Sequence, residues 1–237
     1  MNFDVDSHLI LKGKIGSHAH GTATADSDDD FRGIVIAPKS FYLGLDHFEQ
    51  YEQNEPDIVY YDIQKYVQLA LKANPSILEL LFLEEYELRT PYADKLIAIR
   101  DTFLSRRCAQ TYIGYAVSQL QKLRVKLNPA SRTEKRMLLV QKYGYDSKFA
   151  MHLVRLLNTC KEILSTGTLT VKRPEASYLL EIRNGKYTLD ELEAVATKLI
   201  EEVREAEAAT TIRKEPDYHL VNRVLVEIIE EFYESKA

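Results

Sequence analysis

Apolar and polar residues alternate along three short segments near the start of the chain. Alternation places every second side chain on the same face, which is the pattern of a half-buried β-strand. The segments are Leu9 to Ile15, Phe31 to Ile36 and Asp57 to Tyr61. The first ends at Gly16 and the second at Ala37-Pro38, which is typical of a strand end. We therefore predict three strands in this region.

Helical spacing of apolar residues follows the third strand and dominates the remaining sequence. Residues 63–71 place apolar side chains on one helix face, and Asn74-Pro75 should end that helix. The run Ile77 to Leu83 fits either a buried helix or a strand. Further helices are expected over 91–104, 108–124, 146–165, 189–209 and 217–234. Pro91, Asp146 and Asp190 are expected near helix N-termini. Gly167 is expected to stop a helix, followed by a short extended segment over 168–171. The pattern predicts an α+β fold, with a mixed sheet and flanking helices in residues 1–100 and a helical bundle in residues 101–237.

Composition narrows the class of protein. A charged fraction of 28%, no long apolar run and no leader-like N-terminus argue against membrane insertion or secretion, so we expect a cytoplasmic protein. Cys108 and Cys160 lack metal-site spacing, and we expect buried thiols. The net charge of -5 gives no overall attraction to a polyanion. Residues 122–142 are a basic exception, which fits either a nucleic-acid surface or a solvated connection.

Candidate chemistry is concentrated between the first two strands. Gly16-Ser17 ends the first strand, and after ten residues Asp28-x-Asp30 begins the second. Strand alternation would place Asp28 and Asp30 on one face with Asp29 pointing away. Two carboxylates, together with substrate phosphates, suit Mg²⁺. A small-residue turn entering a helix exposes backbone N–H groups to phosphate oxygens, and the Ser17 hydroxyl adds a donor. The alternative is an acidic, solvated surface loop.

This spacing of Gly16-Ser17 and Asp28-x-Asp30 resembles the signature of DNA polymerase β-like nucleotidyltransferases. The string from Gly16 to Gly33 is similar to a narrower group of bacterial and phage nucleotidyltransferases associated with RNA repair, and the similarity continues through residues 74–81 and 144–148. The resemblance implies transfer of a nucleoside monophosphate from an NTP to a hydroxyl, with pyrophosphate released. It also implies a two-metal Mg²⁺ site in which Mn²⁺ can substitute. Residues 1–100 would then be the catalytic domain, and residues 101–237 a helical domain completing the nucleotide and acceptor cleft.

The resemblance further implies a third carboxylate on a later strand. Asp57 begins the third strand, where alternation keeps Tyr61 on its face. Asp62 lies where the next helix begins, and we expect it to be an N-cap worth about 1 kcal/mol. We therefore assign Asp57 to the catalytic and metal-binding set with Asp28 and Asp30, with deprotonation of the acceptor hydroxyl as its role.

Other polar residues have two open interpretations each. Arg32 either contacts the triphosphate or pairs with a neighbouring acid. His18 and His20 flank the turn and either orient substrate or are ordinary polar helix residues. Glu79 lies within an apolar run and, if buried, needs a partner, so capping or an ion pair is favoured over catalysis.

Three residues of the second half are candidates for phosphate binding. Lys148, His152 and Arg155 are spaced by four and three residues and share a helix face. The resemblance over residues 144–148 favours contact with the nucleotide, whereas the alternative is an exposed polar face.

The acceptor is not determined by these motifs. The large helical half with its basic segment slightly favours the 3′ end of RNA or another nucleic acid. An alternative is a protein side chain, as in AMPylation. Another is a catalytically idle module that senses a nucleotide, although three converging carboxylates would have little use in a pure binder.

Overall fold

The computed structural model describes residues 3–25, 27–124 and 134–235. The chain divides into two compact units, one formed by Met1–Leu104 with Glu215–Ala237 and the other by Ser105–Lys214. The division expected from the sequence, 1–100 and 101–237, differs from this grouping because the last helix belongs to the first unit. The functional roles assigned to the two domains stay predictions.

A five-stranded mixed sheet forms the centre of the first unit. Its strands are β1 (Leu9–Ile15), β2 (Asp30–Val35), β3 (Gln50–Gln53), β4 (Asp57–Asp62) and β5 (Leu88–Arg89). Their order is β3-β4-β2-β1-β5, and β2 and β4 are parallel whereas the other neighbours are antiparallel. The α+β class is confirmed. β3 and β5 were not predicted, because edge strands of four and two residues are too short to show alternation.

The beginning of β2 corrects one step of the sequence argument. Its first residue is Asp30, which pairs with Ile15, the last residue of β1. The chain turns into a helix at Gly16, so β1 offers no strand partner to Asp28 or Asp29. Asp28 therefore lies in the loop before the strand, and the prediction that strand alternation aligns it with Asp30 is wrong.

Five α-helices follow in the first unit as far as Leu104. They are α1 (Gly16–His20), α2 (Lys39–Leu43), α3 (Ile63–Leu71), α4 (Pro75–Leu81) and α5 (Pro91–Ala98). The run left open between helix and strand is helical: the Asn74 side chain accepts from the Ile77 backbone N–H, and Pro75 occupies the first turn. Both α3 and α4 bury an apolar face that includes Tyr66, Leu78 and Leu81.

The second unit contains α6 (Arg107–Arg124), α7 (Glu134–Tyr143), α8 (Ser147–Thr166), α9 (Ala176–Arg183) and α10 (Leu189–Ala209). As predicted, Asp146 and Asp190 lie at helix N-termini, Asp146 as the N-cap of α8 and Asp190 in the first turn of α10, which Thr188 caps. Gly167 ends α8 with φ 73°, also as predicted. The expected extended piece over 168–171 is not a strand.

Both cysteines are free and buried, which confirms the expectation of buried thiols. Of the basic segment, residues 125–133 lie outside the described residues, so its role stays a prediction.

The final helix, α11 (Tyr218–Glu234), packs against α3 and α5 of the first unit. Lys95 of α5 pairs with Glu227 and Glu231, and the Tyr233 hydroxyl donates to the Ala37 carbonyl. The face buried by α11 consists of Val221, Val224, Ile228 and Phe232. No helix in the described parts of the chain is long and apolar enough to cross a membrane.

Candidate active site

Gly16 and Asp30 lie in direct contact at the end of the sheet. Gly16 has φ 71°, a left-handed conformation that disfavours other residues. A Cβ atom at this position would lie 2.5 Å from Asp30 Oδ2. Glycine is therefore needed both for the backbone conformation and for the space that the carboxylate occupies. The structure thus brings together the two halves of the motif, although they are fourteen residues apart in the chain.

The loop that leads into β2 is tied to both sides of the Gly16 turn through Asp29. Lys14 Nζ on β1 donates to Asp29 Oδ1 at 2.8 Å, and His18 Nε2 on α1 lies 3.2 Å from the same oxygen. The hydrogen bond from Lys14 is the main reason that the pKa of Asp29 lies below its usual value. Asp28, the neighbouring residue, is exposed. Sequence reasoning assigned Asp29 no role, because a contact from a loop to a strand and a helix leaves no periodic signal.

Asp57 lies beside Asp30 in the sheet. The two residues are Cα partners at the start of the parallel pair β2 and β4, so their side chains share a sheet face. We call this the Asp30 face. Arg32, two residues along β2, lies on the same face, with Nη1 3.2 Å from Asp57 Oδ1 and Nη2 3.4 Å from Asp57 Oδ2. The sequence left two interpretations open for Arg32, and in the structure Arg32 pairs with a neighbouring acid, Asp57.

The carboxylate oxygens at this site meet some of the requirements for binding a divalent cation. Among the residues that the structure describes, no group of three or more His, Cys, Asp or Glu side chains is arranged to hold a metal ion. The expected centre of Asp28, Asp30 and Asp57 stays a prediction, and Asp57 forms an ion pair with Arg32. Asp28 and Asp30 supply carboxylate oxygens, which match the one or two carboxylates that Mg²⁺ uses when phosphates and waters complete its shell.

A buried hydrogen-bonding contact between His20 and Glu79 holds α1 against α4. His20 Nε2 lies 3.0 Å from Glu79 Oε2, and their side chains are 8% and 4% exposed. Glu79 thus has the partner that its burial demanded, as predicted. Since α1 carries Gly16 and Ser17, the pair fixes the helix on which the proposed phosphate turn depends.

Asp62, at the other end of β4, has a structural role. Its side chain accepts from the Gln64 backbone N–H at the start of α3 and from the Tyr42 hydroxyl. The prediction that Asp62 is an N-cap is confirmed. Burial raises its pKa above the usual value, against the lowering effect of these hydrogen bonds.

The candidate phosphate-binding residues of the second unit all lie on α8. Arg155 is 2% exposed, and its Nη2 lies 3.1 Å from His152 Nδ1. Lys148 is exposed near the start of the helix. The shared face predicted for these residues agrees with the contact between Arg155 and His152, and the binding of nucleotide by all three stays a prediction.

Comparison with known proteins places most of the chain in one family. Residues 3–227 match the family described as "RNA repair pathway DNA polymerase beta family". A search of curated protein sequences gives no match. Among solved structures, a crystal structure of a nucleotidyltransferase-like protein from Exiguobacterium sibiricum aligns over 94% of this chain and 74% of that one, with 13% sequence identity and a TM-score of 0.33.

Proposed function

Since the chain belongs to the RNA repair pathway DNA polymerase beta family and is a nucleotidyltransferase, we propose that it transfers a nucleoside monophosphate from an NTP to a hydroxyl with the help of Mg²⁺. The observation that carries the proposal is the contact between Gly16 and the Asp30 carboxylate. It joins a turn suited to phosphate with a carboxylate suited to a cation.

In the proposed site, Asp28 and Asp30 hold Mg²⁺, for which Mn²⁺ can substitute. The cation supplies neutralisation of the charge that develops on the phosphate oxygens. The Ser17 hydroxyl and the backbone N–H groups of the Gly16 turn bind the triphosphate. These N–H groups are suitable because the first turn of a helix has no intrahelical acceptors for them.

Asp57 has the proposed role of general base. The acceptor oxygen forms a bond to the α-phosphorus, the bond from that phosphorus to the pyrophosphate oxygen breaks, and the hydroxyl proton passes to the Asp57 carboxylate. Arg32 orients Asp57 through two hydrogen bonds. It also brings positive charge to the Asp30 face, where it can contribute to binding the triphosphate.

On the second unit, Lys148, His152 and Arg155 are proposed to contact the nucleotide phosphates. The position of all three on α8 and the 3.1 Å contact between Arg155 and His152 support a joint role. For the acceptor we favour the 3′ end of RNA or another nucleic acid. The association of the family with RNA repair supports this choice.

The direct test is transfer of label from each NTP carrying a radioactive α-phosphate, with Mg²⁺, to pooled small RNA or to the protein itself. Wild type is compared with Asp28→Ala/Asp30→Ala and with Asp46→Ala, an exposed aspartate elsewhere in the first unit. We expect labelled RNA with wild type and Asp46→Ala only. Label on protein would replace the nucleic-acid acceptor by a protein side chain. NTP binding without any transfer would instead support a nucleotide-sensing module.

A further inference from the structure

The face of the sheet opposite to the Asp30 face carries a basic and aromatic surface. The register pairs Lys12 with Leu88, Lys14 with Phe31, Phe31 with Ile58, and Tyr51 with Tyr60. Directly paired residues share a face. We call the surface formed by Lys12, Lys14, Phe31, Ile58, Tyr51 and Leu88 the Lys12 surface.

Large apolar side chains of the Lys12 surface are in contact with solvent. Tyr51 is 38% exposed and Leu88 is 37% exposed, while Phe31 and Ile58 are half-buried. Tyr51 stacks on the buried Tyr60 with ring centroids 5.9 Å apart, so its outer face is presented on a rigid base. Partly exposed aromatic rings on a sheet surface are an arrangement on which nucleic-acid bases stack.

Positive charge is concentrated over one of these rings. Lys12 Nζ lies 4.8 Å and Lys14 Nζ 5.6 Å from the centroid of the Phe31 ring. Lys14 also pairs with Asp29, and the acid that the register places on this face, Asp62, is buried at the far end of β4. In a chain with a net charge of -5, this surface is a local site of attraction for a polyanion.

We propose that the Lys12 surface binds a single-stranded segment of a nucleic-acid acceptor, with bases on Phe31 and Tyr51 and phosphates at Lys12 and Lys14. This inference rests on the proposed function for the identity of the acceptor. Phe31 and Tyr51 lie two strands apart and two residues out of register, a separation of about 12 Å that suits different bases of one strand.

The position of the Lys12 surface relative to the Asp30 face favours binding of a single-stranded nucleic acid over binding of a duplex. Phe31 directly follows Asp30 in β2, and the two side chains point to opposite faces. A bound strand must therefore bend over the end of the sheet to present its terminal hydroxyl on the Asp30 face. A flexible single strand can make this bend, whereas a stiff duplex cannot.

The test is fluorescence anisotropy of the full chain with a labelled oligouridylate, without NTP, against a duplex of the same length. We expect Phe31→Leu, which keeps apolar bulk but removes the ring, to weaken single-strand binding about tenfold, and Phe31→Tyr to bind like wild type. Lys12→Ala should reduce the slope of log affinity against log salt by about 0.7, as for one lost phosphate contact. Lys39→Ala, an exposed lysine on α2, is the matched control.

The proposal would be overturned by no binding of the single strand to wild type, or by equal binding of wild type, Phe31→Leu and Lys12→Ala. Preference for the duplex would also exclude it. Thermal unfolding checks that Phe31→Leu is folded. Release of pyrophosphate from NTP, measured separately with wild type and Asp28→Ala/Asp30→Ala, reports on the proposed function. Its absence alongside intact single-strand binding would count against the reaction and leave the binding surface standing.

Discussion

Arg32 and Asp57 form a two-point ion pair across the parallel strands β2 and β4, with Nη1–Oδ1 and Nη2–Oδ2 distances of 3.2 and 3.4 Å. The planar guanidinium matches a carboxylate at both oxygens, which a lysine ammonium cannot do. The orientation of the carboxylate proposed to act on the acceptor hydroxyl therefore depends on Arg32.

Arg32→Lys should lower kcat by up to about a hundredfold, because a misplaced general base loses its alignment with the acceptor. Its free energy of unfolding should change by less than about 1 kcal/mol, because Asp57 is half exposed. Arg89→Lys, at the exposed Arg89–Asp94 pair, is the matched control and should leave turnover unchanged. Steady-state kinetics and urea unfolding measure both quantities. Unchanged turnover in Arg32→Lys would exclude the orienting role.

Gly16→Ala should abolish transfer, because the new methyl group would occupy the space of Asp30 Oδ2. The left-handed backbone adds a cost of about 1–3 kcal/mol to folding. Gly114→Ala on α6 meets nothing within 4 Å and should instead leave activity intact and stabilise the helix by up to about 1 kcal/mol. Transfer assays and thermal unfolding of both variants provide the measurement. An active Gly16→Ala enzyme would show that the contact is dispensable.

Asp29→Asn should raise the Mg²⁺ concentration needed for half-maximal activity several-fold, because the loop carrying Asp28 loses its ion pair with Lys14 and its contact with His18. Lys14→Ala should have a similar effect, and the double variant should be no worse than either single one. Rescue by Asp29→Glu would distinguish anchoring by charge from loss of folding. Additive effects in the double variant would mean that the Lys14–Asp29 contact does not position the loop.

Glu79→Leu should destabilise the first unit by about 3 kcal/mol or more, because it leaves His20 buried without its carboxylate. His20→Leu/Glu79→Leu should recover part of the loss, since neither polar group then remains buried. Urea unfolding measures the three free energies. A double variant no more stable than Glu79→Leu would show that the pair is not coupled.

The stability contribution of Asp62 should fall as pH rises. Burial raises the pKa of Asp62 in the folded state above its usual value, so the folded state binds more protons than the unfolded state. The contribution is then fully present below the unfolded pKa and is lost as pH rises through the folded pKa. The unfolding free energy of wild type minus that of Asp62→Asn should therefore decrease from acidic to neutral pH. A difference that is flat or increases over this range would contradict the raised pKa.

Local signals in the sequence were sufficient for β1, the core of β2 and the long helices. Residues 189–209 form α10 as predicted, because apolar periodicity and a capping box at Thr188 and Glu191 act within one segment. The Gly16 to Asp30 contact was also predictable, since the motif spacing carries it. By contrast, α7 and α9 were missed because they are short and weakly amphipathic.

Contacts between residues that are far apart in the sequence could not be predicted from the sequence alone. The sequence left Arg32 between a phosphate and an acid, and only the register of β2 with β4 brings Asp57 to it. The anchoring of Asp29 by Lys14 likewise arises from a turn that reverses the chain between them. Asp28 was misplaced because strand alternation was extended beyond the last residue of β1.

The return of α11 to the first unit has a consequence for synthesis on the ribosome. The hydrophobic surface that Val221, Ile228 and Phe232 cover is translated early, whereas the helix that covers it is translated only after the whole second unit. The second unit can complete its folding first. Until α11 is made, the apolar surface of the nascent first unit that this helix covers stays exposed. Chaperone demand and aggregation during expression should therefore depend on α11, and a chain stalled near Lys214 should be more prone to aggregate than one that includes this helix.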